Sequence, residues 1–251
     1  MIIMDCNRAA IKTAGLVIIG NEILSGKIQD QNSFFLATEL RALGVSLMRI
    51  SVIPDDIDRI SREVQTFSVG YDFVFTTGGV GPTHDDVTME GIAKGFGVGL
   101  VRHPLLERKF LDRYGSAAND AVMKMAEVPE GAEVVEFTTN NFPLVVFKNI
   151  YIFPGIPRYL REKFTLVRER FRTSDFYLKR IYLKANESDI AAILNSVVEK
   201  NDCVDFGSYP ILDHPDYQII LTAESKLEAD LDKALTELLG RLPKDILVRI
   251  E

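Results

Sequence analysis

The segment Thr76-Thr77-Gly78-Gly79-Val80-Gly81-Pro82-Thr83-His84-Asp85-Asp86-Val87-Thr88 sets three glycines and two adjacent carboxylates between an apolar run and an amphipathic one. Glycine lets a backbone approach a ligand closely, and free N–H groups at the start of a helix favour an anion. Gly78, Gly79 and Gly81, with Thr77 and Thr83 beside them, are therefore the expected cradle of a phosphate group. The spacing is not a dinucleotide fingerprint, because counting from Gly79 and Gly81 puts His84 where the third glycine belongs. An earlier run, Gly20-Asn21-Glu22-Ile23-Leu24-Ser25-Gly26-Lys27-Ile28, has five residues between its glycines instead of four. It also has Ile28 where a P-loop carries its magnesium-binding hydroxyl, so a P-loop NTPase is excluded.

The paired acids need a different account. Either Asp85 or Asp86 could cap the following helix, but only one of two neighbours can do so. The other is a surplus carboxylate beside a phosphate, unfavourable unless a divalent cation such as Mg²⁺ lies between them. Asp86 and Asp85 are thus the expected metal ligands. Asp55 and Asp56, after a second strand, face the same choice between capping and function, and Asp55 joins Asp86 and Asp85 as an expected catalytic residue. Glu22 and Asn32, in the first strand-to-helix connection, should open onto the same ligand edge and touch the substrate, whereas Pro154, Gly155 and Pro157, after a later strand, could simply form a stiff helix entry. His103 and His214 each precede a proline and are expected in turns. No GxSxG, HExxH or Cys/His pairing is present, so nothing supports a nucleophilic side chain.

These residues need a scaffold, and the hydrophobic pattern supplies one. Ala14–Gly20, Ser46–Ile53 and Tyr71–Thr77 read as buried strands, separated by helical patterns over Asn32–Leu43 and from Ile57 to Phe67. Alternation of this kind predicts an α/β fold of three layers, a mostly parallel sheet with helices on both faces. Ligands bind such sheets at the carboxyl ends of the strands, where the glycine loop lies. Further helices are expected over 87–97, 103–114 and 157–171, with short strands near 133–136, 144–147 and 151–153. The last quarter reads β-α-β-β-α-β, as in small ferredoxin-like α+β domains. In it, Asn186 is the expected cap of one helix and Ser225-Lys226-Leu227-Glu228 the capping box of the other. The expected divisions are an N-terminal extension over 1–13, an α/β domain over 14–173 and a small domain over 174–251.

Composition narrows the classes. The 251 residues are 47% hydrophobic, too apolar for a disordered chain, and no apolar run approaches the roughly 20 residues of a membrane span. A net charge of -7 argues against a nucleic-acid groove, which needs clustered Lys and Arg. No membrane or nucleic-acid partner is expected. Cys6 and Cys203 stand in no metal spacing, which predicts reduced thiols and a cytoplasmic location.

The glycine loop resembles the signature of the molybdopterin-binding fold shared by MoaB, MogA, gephyrin and the N-terminal part of CinA. Gly20–Gly26 with Asn32, and Phe153-Pro154-Gly155-Ile156-Pro157, resemble that family's other two ligand-edge motifs, and the likeness spans roughly residues 14 to 172. Gly207-Ser208-Tyr209-Pro210 and the tail resemble the small domain of CinA-type proteins and eukaryotic FAD synthase. Thr138-Thr139-Asn140-Asn141 stands where CinA-type proteins usually carry a Gly- and Pro-rich loop. The resemblance implies a divalent-metal-dependent nucleotide pyrophosphatase that cleaves FAD or ADP-ribose to AMP and a phosphate monoester. It also implies two other possibilities: molybdopterin adenylylation, or a module that binds a pterin or nucleotide without turnover. The aspartates of MogA-type motifs match Asp55 and Asp86. A homo-oligomer is implied by the resemblance alone.

Overall fold

The computed structural model describes residues 11–137 and 142–251. Residues 1–10 of the expected extension, with Cys6, and the departure at Thr138–Asn141 lie outside them. The described residues fall into two compact units, Ile11–Thr173 and Ser174–Glu251.

In the first unit, β1 (Thr13–Ile19) leads through α1 (Asn21–Leu24) and α2 (Asn32–Ala42) to β2 (Ser46–Ile53). The chain continues through α3 (Ile57–Gly70) to β3 (Phe73–Thr77), then α4 (Thr88–Phe96), β4 (Leu100–Arg102), α5 (Pro104–Tyr114), α6 (Asp120–Lys124) and β5 (Glu127–Pro129). It closes with β6 (Glu133–Val135), β7 (Leu144–Phe147), β8 (Ile150–Phe153) and α7 (Pro157–Val167).

Six strands form one sheet in the order β2-β1-β3-β8-β7-β6. The first four run parallel, while β7 and β6 add antiparallel at one edge. The alternation of side chains along a strand builds two cores. Val17 and Ile19 of β1 join Ile60, Val64 and Phe67 of α3 and Ile92 of α4 on one face. Leu16 and Ile18 face the other way, with Leu36 and Leu40 of α2 and Leu160 and Phe164 of α7. This is the expected three-layer α/β arrangement. Phe75, Tyr151, Phe164 and Phe171 pack ring to ring beneath the second face, with Phe75 and Phe171 centroids 5.0 Å apart.

The short pair β4 and β5, α1 and α6 are elements the pattern did not predict. Each has five residues or fewer, too few to display a period.

The second unit is β9 (Tyr177–Leu183), α8 (Glu187–Val198), β10 (Asp205–Pro210), β11 (Ile219–Ser225), α9 (Glu228–Arg241) and β12 (Leu247–Ile250). Its all-antiparallel sheet, ordered β10-β11-β9-β12, has the topology of a split βαβ domain. Asn186 caps α8 in a capping box with Asp189. The capping box expected at Ser225 is not formed. Ser225 is the last residue of β11, its hydroxyl donates to the Cys203 carbonyl at 2.8 Å, and α9 begins after Leu227 without a side-chain cap. Cys203 is disulfide-bonded, against the expectation of reduced thiols.

Candidate active site

Three parallel strands, β1, β3 and β8, end side by side, and their loops converge on Gly78. The chain leaves β1 for β2 on one side and returns to β3 on the other, so the crevice between β1 and β3 is the switch point where such sheets bind ligands. Gly78 continues the ladder past β3 by donating its N–H to the Phe153 carbonyl at 3.2 Å. Its φ is +104°, and a Cβ there would stand 2.0 Å from the Ile19 carbonyl oxygen. A Cβ on Gly155 would come within 3.3 Å of the Gly78 Cα. Only glycine allows strand ends to approach this closely.

Thr88 closes the loop. Its N–H donates to the Gly79 carbonyl at 3.0 Å and its hydroxyl to the Gly78 carbonyl at 2.9 Å. Neither Asp85 nor Asp86 caps α4, whose cap position is Val87 and has no side-chain bond. The tether through Thr88 takes the place of a carboxylate cap. Asp86 is thereby free for another use: its carboxylate accepts from the Thr83 N–H at 2.8 Å and from the Thr83 hydroxyl. The N–H groups of Gly79, Val80 and Gly81 find no protein acceptor among the described residues. Three consecutive free amides are donors available to an anion.

Asn32, only 6% exposed, locks the neighbouring walls together. Its amide donates to the Thr77 hydroxyl at 2.9 Å and to the Gly155 carbonyl at 2.8 Å, while Thr77 donates to the Pro154 carbonyl at 3.0 Å. The Asn32 Oδ1 is buried without a partner. Pro157 occupies the first turn of α7.

These residues wall a cavity of about 690 Å³. Glu22, Asn32, Thr77, Gly78, Gly79, Gly81, Asp86, Pro154, Gly155 and Pro157 all line it, so one surface gathers ten of the thirteen residues singled out from the sequence. Thr83, Asp85 and Asp55 do not line it. Thr83 holds Asp86. Asp85 is exposed and lies 3.9 Å from His84 Nδ1, its carboxyl held below the ordinary range by hydrogen bonds from Thr83 and from its own N–H. Asp55 accepts the Asn21 N–H at 2.8 Å and so anchors the start of α1, whereas Asp56 caps α3 by accepting from the Arg59 N–H at 2.8 Å.

Two lysines went unnoticed in the sequence. Lys124, on the short α6, donates to the Asp86 carbonyl at 2.9 Å and sits 3.6 Å from Glu90, clamping the outer end of the loop. Lys163 lines the cavity and donates to the carbonyls of Phe142 and Pro143. Burial pushes its ammonium down to about 8. Nothing about a single lysine in a helical pattern distinguishes it from a solvated one.

The fit to a divalent cation rests on Asp86. It is the acid shared by the cavity and a small cleft lined also by Glu90, Lys124 and Glu127. No group of three or more His, Cys, Asp or Glu is arranged to hold a metal among the described residues. One carboxylate beside free amides suits Mg²⁺ carried largely by a diphosphate, since that ion keeps its waters and takes one or two protein carboxylates.

Comparison with known proteins adds to this geometry. A family model described as a probable molybdopterin binding domain matches residues 15–173, and one described as the middle domain of FAD synthase matches residues 175–251. A probable FAD synthase of Caenorhabditis elegans is 31% identical over 255 residues, which cover 90% of this chain and 49% of that one. A CinA-like protein of Thermotoga maritima is 30% identical over 241 residues, 92% of this chain and 59% of that one. The chain thus spans about half to three fifths of the length of these two relatives. The solved structure of CinA from Thermoplasma acidophilum aligns with a TM-score of 0.60 at 28% identity, covering 64% of this chain and 100% of that one.

Proposed function

Because this chain belongs to the molybdopterin-binding domain family, we propose that its sheet-edge site is a divalent-metal-dependent nucleotide pyrophosphatase acting on a dinucleotide such as FAD or ADP-ribose. The products are AMP and a phosphate monoester. The observation that carries the reading is the run of three free amides, Gly79 to Gly81, beside the Asp86 carboxylate in a cavity large enough for a dinucleotide.

In this reading the amides of Gly79, Val80 and Gly81 hold the diphosphate and stabilise the negative charge that builds on it as water adds to one phosphorus and the bridging P–O bond breaks. Asn32 and Thr77 keep the facing wall at fixed distance, so the amides stay preorganised. Lys124 holds the loop that carries Asp86. A Mg²⁺ or similar ion, held by Asp86 and the diphosphate, would polarise the phosphoryl group and lower the pKa of a bound water.

Incubation of the protein with FAD or ADP-ribose and Mg²⁺ or Co²⁺ is expected to release AMP, and excess EDTA to stop that release. AMP production that continues in EDTA would remove the metal from the reading. The family model's description names molybdopterin binding, and the second reading is molybdopterin adenylylation, in which ATP with molybdopterin yields pyrophosphate. Binding of either ligand with no product would leave a carrier.

A further inference from the structure

The edge of a β-sheet carries unpaired N–H and C=O groups, and chains that stay apart blunt it with charge, with proline or by keeping the strand short. Three of the four edges of the two larger sheets are blunted in this way. β6 has three residues and includes Glu133, β12 has four and includes Arg249, and β10 carries Asp205 and Pro210. The fourth edge, β2, is not. It runs for eight residues, Ser46-Leu47-Met48-Arg49-Ile50-Ser51-Val52-Ile53, with no proline and a single charge. That charge is folded back onto α3, where the Arg49 guanidinium bonds Glu63 at 3.1 Å and lies 5.0 Å from the centre of the Phe67 ring.

Among the described residues β2 pairs only with β1. The Ile53 carbonyl accepts from the Gly20 N–H at 3.1 Å on the β1 side, so alternation along the strand directs the backbone groups of Ile50 and Val52 outward. The side chains there are apolar and uncovered, with Met48, Ile50 and Val52 exposed to 61%, 46% and 38%. Free backbone groups flanked by apolar side chains suit the addition of another extended strand.

The strand that fits best is a second β2, because this edge is complementary to itself. Set antiparallel about a two-fold axis through Ile50, two β2 strands place Ile50 opposite its own counterpart, where each can donate its N–H to the other's carbonyl. Met48 then faces Val52 and Arg49 faces Ser51, so apolar meets apolar and no two charges oppose each other.

We propose that β2 is a homodimer interface, in which the β2 strands of two copies of this chain pair antiparallel about Ile50 and join their six-stranded sheets into one continuous sheet. One strand edge is a small interface, so the dissociation constant is expected in the micromolar range. The pairing is independent of what the cavity binds or cleaves.

Sedimentation velocity of the whole chain from about 1 to 100 µM is expected to show monomer giving way to dimer. Ile50→Lys, which sets two like charges face to face on the axis, should weaken the dimer at least about 30-fold, and Ile50→Val less than about threefold. A chain that stays monomeric throughout overturns the proposal, as does a trimer or a dimer that Ile50→Lys leaves intact. Should Ile50→Lys fail to fold, hydrogen exchange on the unaltered protein decides. The amides of Ile50 and Val52 are expected to exchange more slowly at 100 µM than at 1 µM, and equal rates at both concentrations overturn the pairing.

Discussion

Replacing Asp86 with alanine is expected to lower AMP release from FAD or ADP-ribose by at least about 100-fold, the scale on which enzymes lose rate when a charge-stabilising group is removed. The substitution removes two things at once. One is the negative charge in the cavity wall, and the other is the acceptor for the Thr83 N–H and hydroxyl that shapes the loop. Asp86→Asn tells them apart, because its carbonyl oxygen still accepts from Thr83 while the charge is gone. If the charge holds a cation, the asparagine variant is nearly as inactive as the alanine variant and melts within a few degrees of the parent. An asparagine variant with most of its activity would assign Asp86 to loop shape and end its role in metal binding. Titrating Mg²⁺ into each variant adds a second check, since a weakened cation site raises the concentration needed for half-maximal rate.

The second large effect is structural. Gly78→Ala puts a methyl group 2.0 Å from the Ile19 carbonyl at a φ of +104°, where no L-residue is comfortable and the obstacle is backbone that cannot swing away. Strain and clash together are expected to destabilise the unit by about 3 kcal/mol or more. Melting should fall by roughly 6–12 °C for a unit of this size. Gly26→Ala is the control: its φ is +69°, but nothing lies within 4 Å of the added Cβ, so only the conformational part, about 1 kcal/mol, should appear. A Gly78 variant that melts with the Gly26 variant would mean that β1 and β3 do not approach as closely as described.

The two glycines also show how far sequence reasoning reached. Both stand in glycine-bearing loops after apolar strands, and the pattern alone marks both as permissive. Only the pairing of β1 with β3 reveals that one of them carries a close approach and the other a turn. The same limit applies to the acids. The doublet Asp85-Asp86 raised the question of a cap, but the answer depended on Thr88, whose two hydrogen bonds back to Gly78 and Gly79 reach across ten and nine residues with no periodic trace. The parallel strands were legible because burial on both faces makes them apolar throughout, as in Leu16-Val17-Ile18-Ile19. Lys124 and Lys163 were not legible, because their meaning comes from which carbonyls surround them in three dimensions. Ser225 misled because a serine followed by glutamate three residues later satisfies the capping pattern even when the serine finishes a strand.

The bonds made by Thr88 have one more consequence, seen in the exchange of backbone hydrogens with deuterated solvent. The N–H groups of Gly78 and Thr88 are bonded, at 3.2 and 3.0 Å, whereas those of Gly79, Val80 and Gly81 between them have no acceptor in the protein among the described residues. Without ligand, these three should exchange faster than the bonded amides of Gly78 and Thr88 on either side. An anion seated on them supplies the missing acceptors and should slow all three together. The loop thus reports its own occupancy amide by amide, whatever the ligand and whether or not any bond is broken.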